Sequence, residues 1–173
     1  MGVVYNKIKT DVIAHIKFDE DSNTWCFQSN HEHLKGVAQL ASEFAKEFNM
    51  SSWGYVIGML HDKGKEQKSF QQHIKRESGY SPNTVVEGDS NHAYVGALIA
   101  KKLFADPPFY TLMDNVIMGH HRGLYDEDDK NKKMQAIIPN DVSVEDIKVK
   151  LATPNIEKKK DIHSICGISN SSC

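Results

Sequence analysis

The sequence predicts a mainly α-helical bundle in one domain, preceded by a small β-hairpin. From residue 29 to about residue 121, apolar residues recur at the three- and four-residue spacing of amphipathic helices. Residues 1–28 instead alternate apolar and polar side chains on either side of a turn. With 173 residues, the chain is long enough to bury a core and short enough for a single domain.

The predicted hairpin pairs residues 12–18 with residues 24–27 across the turn Asp21-Ser22-Asn23. The first helix begins after Ser29, which forms a capping box with Glu32 three residues later. Its apolar stripe is predicted to consist of Leu34, Val37, Leu40, Ala41, Phe44 and Phe48.

Caps and helix-breaking residues place the second and third helices. The second begins near Ser51 and runs to the His61-Asp62 doublet, with Gly64 as its C-terminal stop. The third covers about residues 70–77, with Ser69 and Gln72 as another capping box.

The fourth helix begins at Asn91 and is broken by Asp106-Pro107-Pro108, and the fifth covers about residues 110–121. A short helix near residues 143–151 would begin at Ser143. We therefore expect a helical core over about residues 29–126, a hairpin appendage over 1–28, and a poorly patterned tail over 127–173.

Composition indicates the cellular compartment more clearly than it indicates a binding partner. A net charge of −2 and a pI near 6.5 do not indicate a basic nucleic-acid binder, and the lysines between residues 130 and 160 are most simply a solvated surface. No apolar run of membrane length and no leader are present. The three cysteines, Cys26, Cys166 and Cys173, are far apart and odd in number, which fits a reducing cytoplasm without disulfides.

Six potential metal ligands lie at or near the ends of four predicted helices: His33, His61, Asp62, His92, His120 and His121. Six nitrogen and oxygen donors exceed the need of one tetrahedral zinc, and the lack of cysteine favours hydrolysis over electron transfer. Adjacent side chains on a helix point about 100° apart, so each doublet can converge on one site only where its helix ends.

The set therefore predicts two divalent ions bridged by Asp62. Such ions can activate water and neutralise charge on a phosphodiester. Imidazole and carboxylate ligands favour manganese, iron, cobalt, nickel or zinc over magnesium. Lys65 follows Asp62 by three residues, a reach that suits an ammonium at the substrate phosphate. A surface lysine at a helix end is an equally ordinary role for it.

Each part of this set is weak evidence by itself, and the combination carries the prediction. A lone His-Asp pair is common, and His33 or His92 alone would usually be a boundary or capping residue. The other histidines are expected to have no role in the site: His15 on a strand, His31 in a solvated turn, His73 on an outer helix face, and His163 in the tail.

The order of these motifs resembles the HD-superfamily nuclease domain of the CRISPR-associated helicase-nuclease of type I systems. The matching series is His33, then His61-Asp62-Lys63-Gly64-Lys65, then Asn91-His92 with Gly96-Ala97, then Gly119-His120-His121-Arg122-Gly123-Leu124. Glu32-His33-Leu34 and Phe70-Gln71 add to the likeness, which covers about residues 10–126.

The resemblance implies a nuclease that cuts single-stranded DNA in the cytoplasm. It would act as an endonuclease, and additional exonuclease activity stays open. An RNA-guided CRISPR surveillance complex and a helicase, supplied in trans or by a missing C-terminal region, would deliver this DNA. By the same resemblance, His33, His61 and Asp62 would hold one ion, and Asp62, His92, His120 and His121 the other. Lys65 would lie near the scissile phosphate as a catalytic, substrate-binding residue beside Asp62.

The chain departs from that family in three places. Ala93 stands where a serine usually follows the third-motif histidine, and no GxxxxGK[ST] helicase motif is present. The family's further downstream aspartate has only one late candidate, Asp161, in surroundings that do not match. Two other functions therefore stay open: an HD phosphohydrolase of small nucleotides, and a non-catalytic domain with an incomplete metal site.

Overall fold

Six α-helices follow a two-stranded antiparallel hairpin in the described part of the chain. The computed structural model describes residues 12–104, 107–121 and 123–144, together with Ile147 and Leu151. The expected fold class, a helical domain with an N-terminal hairpin, is confirmed. Its elements are β1 Ile13–Asp19, β2 Thr24–Ser29, α1 Asn30–Ala45, α2 Ser51–Leu60, α3 Lys68–Glu77, α4 Val95–Leu103, α5 Pro107–Gly119 and α6 Glu127–Lys133, with 3-10 turns at Lys46–Phe48 and Lys63–Glu66.

The hairpin register sends two sets of side chains to opposite faces. Phe18 lies opposite Trp25, and these two rings are 5.0 Å apart at their centroids. Trp25 in turn packs edge-on against Tyr80, at 5.4 Å. His15 and Gln28 pair on the other face, because side chains alternate along a strand. One face of the hairpin thus packs on an aromatic cluster, while the other carries His15.

Ser29 caps the start of α1 as predicted, while the Glu32 side chain bonds to the Ser29 hydroxyl. Ser29 Oγ accepts a hydrogen bond from the Glu32 backbone N–H at 3.2 Å, and the hydroxyl donates to Glu32 Oε2 at 2.9 Å. This satisfies one of the backbone N–H groups that the first turn of a helix leaves without a partner.

The predicted apolar stripe of α1 is wrong in its second half. Leu34 and Ala38 are buried, whereas Leu40, Phe44 and Phe48 are 54%, 74% and 76% exposed. At 100° per residue, Leu40 and Phe44 lie roughly 120° and 80° around the helix from Leu34. The face buried against α2 is narrower than the arc that these residues cover.

The third helix begins at Lys68, and the predicted Ser69 cap is wrong. Ser69 Oγ instead donates to the Asp89 carbonyl at 2.7 Å. The first N–H of the helix, that of Lys68, donates to Asp141 Oδ2 at 2.7 Å, from 73 residues away. A carboxylate beside a helix N-terminus is favourable because it meets both free N–H groups and the positive end of the helix dipole.

The fourth and fifth helices also differ from the predicted bounds. Asn91 Oδ1 accepts from the Ala93 N–H at 3.3 Å, and this side-chain turn delays the start of α4 to Val95. Pro107 is the first residue of α5, where its missing N–H costs nothing. Since α5 ends at Gly119, His120 and His121 lie just beyond it rather than within it.

The packed core extends beyond residue 126. Met134, Val142 and Ile147 are all less than a tenth exposed and belong to the main cluster. Ser143, Val144 and Ile147 are not helical, so the expected short helix is absent at these positions. The remaining residues of that range, and residues 152–173 with Asp161, lie outside the described residues.

The centre of the core is formed by α2, α4 and α5. Its fully buried side chains include Val56, Leu60, Val95, Ile99, Ile117 and Met118. In the residues that the structure describes, no helix combines the length and apolar character needed to cross a membrane. Cys26 is a free thiol in β2, and the other two cysteines lie outside the described range.

Gly96 allows α4 to lie directly against the C-terminal end of α2. A Cβ at this position would be 1.9 Å from the Leu60 carbonyl oxygen and 3.1 Å from Ile117 Cγ2. The carbonyl is backbone at a helix end, so it cannot move aside without displacing the residue that follows, His61. The contact therefore fixes both the helix packing and the position of the His61-Asp62 doublet.

We expect Gly96→Ala to lower the free energy of unfolding by about 2–3 kcal/mol, because the methyl group overfills a backbone contact. Gly36→Ala is the matched control, since nothing lies within 4 Å of a Cβ there. That change should stabilise α1 by about 0.5–1 kcal/mol through helix propensity. Urea unfolding of both variants checks the prediction, and equal stabilities would contradict it.

Candidate metal centre

Five imidazole rings and one carboxylate converge at one end of the helical core. His33 lies in the first turns of α1, His61 caps α2, and Asp62 follows it directly. His92 lies in the turn before α4. The doublet His120-His121 follows α5. All six residues proposed as ligands from the sequence are thus brought together by the structure.

Their ligand atoms form two groups that share only Asp62. The first group is His33, His61 and Asp62, and the second is Asp62, His92, His120 and His121. In each group the ligand atoms lie within 4.8 Å of one another. Among the described residues, no further carboxylate or cysteine joins either group.

The two oxygens of Asp62 face different groups. Oδ2 is 3.0 Å from His33 Nε2 and 3.3 Å from His61 Nε2. Oδ1 is 3.1 Å from His120 Nε2 and 3.2 Å from His92 Nε2, with His121 Nε2 at 3.9 Å. A single carboxylate therefore stands between two clusters of nitrogen donors.

Asp62 remains ionised despite its burial. Burial by itself raises the pKa of a carboxyl group, because it removes water from the charged form. Here the hydrogen bonds to His120, His33, His61 and His92 outweigh burial and hold the Asp62 pKa far below its ordinary value. The same contact acts on the partner: burial lowers the His120 pKa, but the Asp62 and Ile117 hydrogen bonds raise it overall.

Backbone carbonyls fix the orientation of two rings. His61 Nδ1 lies 2.7 Å from the Gly58 carbonyl, and His120 Nδ1 lies 2.5 Å from the Ile117 carbonyl. A carbonyl oxygen only accepts, so Nδ1 donates in both rings and Nε2 is the nitrogen that faces Asp62. Metal-binding histidines are commonly held by this kind of outer hydrogen bond.

The donor set fits divalent metal ions. His33 Nε2 and His61 Nε2 are 3.2 Å apart, and His92 Nε2 and His121 Nε2 are 2.9 Å apart. Two nitrogens bound about 2.1 Å from one ion, at angles between octahedral and tetrahedral, lie roughly 3.0–3.4 Å from each other. The His33–His61 pair lies within this range and the His92–His121 pair just below it, so each pair is close to the spacing of two nitrogens on one ion.

Gly64 brings His92 to the centre. A Cβ on Gly64 would be 2.2 Å from the His92 carbonyl oxygen and 2.8 Å from its Cα. Gly64 lies inside the 3-10 turn after α2, so its expected role as a helix stop is wrong. Its actual contribution is a backbone-to-backbone contact that holds the segment carrying His92 against the turn that carries Asp62.

Gln71 ties the hairpin to the turn that carries Lys65. Its side-chain carbonyl accepts from the Ile13 N–H at 2.9 Å, and its amide donates to the Ile13 and Lys65 carbonyls at 2.8 and 2.7 Å. All three bonds are buried, so breaking them would leave polar groups without partners. This one side chain positions β1 and Lys65 relative to each other.

Lys65 points into the centre rather than towards solvent. Its Nζ is 2.9 Å from Asp62 Oδ2, and its side chain is only 6% exposed. The alternative interpretation, an ordinary surface lysine, is wrong for this reason. Since its ammonium shares Oδ2 with His33 and His61, the first group holds a positive charge that the second group lacks.

His15 is the residue that the sequence interpretation missed. Its Nδ1 lies 2.7 Å from Gln28 Oε1 and its Nε2 lies 3.4 Å from Lys65 Nζ, while its ring packs edge-on against His33 at 4.8 Å. The pKa of His15 is lowered by burial and further by the Lys65 charge, against the opposing Gln28 bond. A neutral ring thus accepts from the lysine. Strand alternation gave no signal of this contact, because it depends on the hairpin packing on α1.

The centre is most accessible at His121. Its side chain is 50% exposed, whereas those of His33, His61 and His92 are 14–16% exposed. Ala93 is buried and contributes no polar group. Arg122 and the late candidate ligand Asp161 lie outside the described residues.

A family model of the HD domain matches residues 30–152, well over half of the 173 residues. The chain belongs to the HD domain family. A comparison with curated protein sequences gives no match.

Membership in the HD family agrees with the histidine and aspartate cluster. HD domains are generally metal-dependent phosphohydrolases that bind divalent ions. In this HD domain, the two groups of side chains that could hold such ions meet at Asp62. The match ends at residue 152, which is consistent with the buried residues found beyond residue 126.

We expect the second group to bind its ion more tightly than the first, because it has three imidazoles and no ammonium beside it. In a manganese titration followed by calorimetry, His92→Ala should therefore remove the tighter binding event and His33→Ala the weaker one. Asp62→Ala should remove both, since only Asp62 belongs to both groups.

The matched control is His31→Ala, which removes an exposed histidine from the same turn of α1. Its metal content should equal that of the unmodified protein. Full binding in Asp62→Ala, or equal losses in His31→Ala and His33→Ala, would be incompatible with the assigned ligands.

Proposed function

We propose that this HD domain is a nuclease that hydrolyses phosphodiester bonds of single-stranded DNA with two divalent ions. One observation carries the proposal: the two oxygens of Asp62 face separate histidine groups, at 3.0 Å from His33 and 3.1 Å from His120. A carboxylate placed in this way can bridge two ions. Paired ions suit in-line displacement at phosphorus, since one can serve the attacking oxygen and the other the leaving oxygen.

Each group has a defined part in this proposal. His33, His61 and Asp62 Oδ2 would hold one ion, and His92, His120, His121 and Asp62 Oδ1 the other. Divalent ions held there would lower the pKa of an attacking water and neutralise charge on the phosphate oxygens. The nitrogen-rich donors favour manganese, iron, cobalt or nickel over magnesium.

Lys65 would contact the scissile phosphate. Its ammonium already lies in the centre, 2.9 Å from Asp62 Oδ2, and is supported by the Ala14 carbonyl and His15 Nε2 at 3.4 Å each. The two longer contacts are weak, so a phosphate oxygen can take the place of either one. A fixed cation at the phosphate stabilises the additional negative charge of the transition state.

The choice of single-stranded DNA and of a CRISPR type I setting is supported by the order of the motifs. The order along the chain is that of the nuclease domain that the chain resembles: His33, then His61-Asp62 with Lys65, then His92, then His120-His121. In this proposal an RNA-guided surveillance complex exposes the strand in the cytoplasm. A helicase acting with this domain feeds the strand to the centre.

We expect the protein to open circular single-stranded DNA when manganese is added, because cleavage inside a strand needs no free end. Gel electrophoresis of the circular and linear forms measures this. A chelator should abolish the reaction by removing the ions, and Asp62→Ala by removing their common ligand.

Nicking that persists in the chelator or in Asp62→Ala would assign the activity to something other than this centre. Release of phosphate from nucleoside triphosphates without any DNA cleavage would favour the small-nucleotide phosphohydrolase instead. Full metal occupancy without turnover of either substrate would leave the non-catalytic domain.

Lys65→Met should lower kcat by about a hundredfold, the usual effect of removing one group that stabilises transition-state charge. Metal content should be retained, because no ligand is lost. Lys63→Met is the control: Lys63 is buried two residues away but pairs with Glu66 instead of Asp62. Steady-state kinetics and metal analysis compare the two, and similar kcat values in both variants would refute the role of Lys65.

A further inference from the structure

A cavity of about 450 Å³ lies outside the metal-ligand set. None of the residues around it belongs to either histidine group. They lie on the turn before α4, on the segment after α5, on α6 or just after it, and are Asp89, Tyr94, Tyr125, Asp129, Lys132, Lys133 and Ala136.

Two residues of the cavity lining lie close along the chain to candidate metal ligands. Tyr94 follows His92 by two residues, so their Cα atoms are at most about 7 Å apart, and Tyr125 follows His121 by four, at most about 14 Å. His92 and His121 are themselves in contact, with their Nε2 atoms 2.9 Å apart. Short chain segments thus connect Tyr94 and Tyr125 to the ligand pair that includes the most exposed histidine.

Its lining combines aromatic rings, cations and carboxylates. Lys133 Nζ lies 4.9 Å from the centroid of the Tyr94 ring and 3.7 Å from Asp89 Oδ2. Lys132 Nζ lies 3.9 Å from Asp129 Oδ1, and its side chain is 79% exposed. Ion pairs this long and this exposed contribute little, so both ammonium groups can exchange their carboxylates for a phosphate.

We propose that this cavity binds the nucleoside next to the scissile phosphate, while Lys132 and Lys133 contact the adjoining phosphate. The proposal rests on the phosphodiesterase function proposed above and defines its substrate as a nucleic-acid strand. A simple anion is a poor match, because Asp89 and Asp129 line the same cavity. A nucleoside has amino and hydroxyl groups that donate to these carboxylates, and a ring that packs on Tyr125.

The volume and the openness of the cavity agree with this assignment. Small-molecule sites have volumes of about 300–1,000 Å³, a range that includes a single nucleoside. The exposed Lys132 and Asp129 side chains leave one side open to solvent. A polymer can therefore enter and leave, whereas a hydrolase of free nucleotides would enclose its substrate.

Two substrates separate the cavity from the metal centre. Bis(p-nitrophenyl) phosphate needs only the ions and Lys65, whereas a short single-stranded DNA oligonucleotide would also occupy the cavity. For Lys132→Glu and for Tyr125→Leu, we expect kcat/KM on the oligonucleotide to fall about tenfold more than on the small diester, which is within the usual effect of one lost base-stacking contact.

Lys102→Glu is the matched control, since it makes the same charge change at an exposed position of α4 outside the cavity. This change should alter kcat/KM on both substrates by the same factor. Binding of the labelled oligonucleotide, measured by fluorescence anisotropy at several salt concentrations, adds a readout that needs no turnover. Lys132→Glu should weaken this binding and reduce its salt dependence by about one phosphate contact.

The outcomes distinguish this inference from the proposed function. Lack of hydrolysis of either substrate by the unmodified protein would refute the nuclease, while selective loss of oligonucleotide binding in the Lys132 and Tyr125 variants would still support the cavity. Normal hydrolysis with equal losses on both substrates would overturn the cavity and keep the nuclease. Absence of oligonucleotide binding by the unmodified protein would overturn it as well.

Discussion

The negative charge of Asp62 is the constraint on which the rest of the structure depends. A buried carboxylate is costly unless it is paired, and here four imidazoles and the Lys65 ammonium lie within 3.3 Å of its oxygens. To supply these partners, the ends of several helices must meet at one point. The close approaches at Gly64 and Gly96 make this possible, because no side chain there separates the backbones.

Local signals were sufficient to predict the fold class and to gather the members of the site. Ser29 and Glu32 mark a helix start through contacts three residues apart, which a sequence displays directly. The His120-His121 doublet could be recognised because adjacent histidines at a helix end are rarely needed for packing. Their convergence depends on His120 and His121 lying past the last turn of α5, where the backbone no longer follows the helix.

Contacts between distant residues account for what the sequence could not predict. Asp141 caps α3 and Gln71 joins Ile13 to Lys65, and neither residue differs locally from an ordinary surface residue. Strand alternation predicts which face the His15 side chain takes, but not which element covers that face. The predicted buried stripe of α1 is partly wrong for a related reason. Periodicity identifies the apolar residues, whereas the width of the partner helix decides how many of them are covered.

The span of the centre along the chain has a consequence for folding. Its ligands extend from His33 to His121, while α1 and α2 pack as sequence neighbours. Local helix pairs can form early, but the donor set exists only after distant segments close on one another. Ions that bind only the native state then stabilise it by mass action, by about 2.7 kcal/mol when free metal exceeds its dissociation constant a hundredfold. The metal supply of the cell would in this way set the thermodynamic stability of the domain as well as its chemistry.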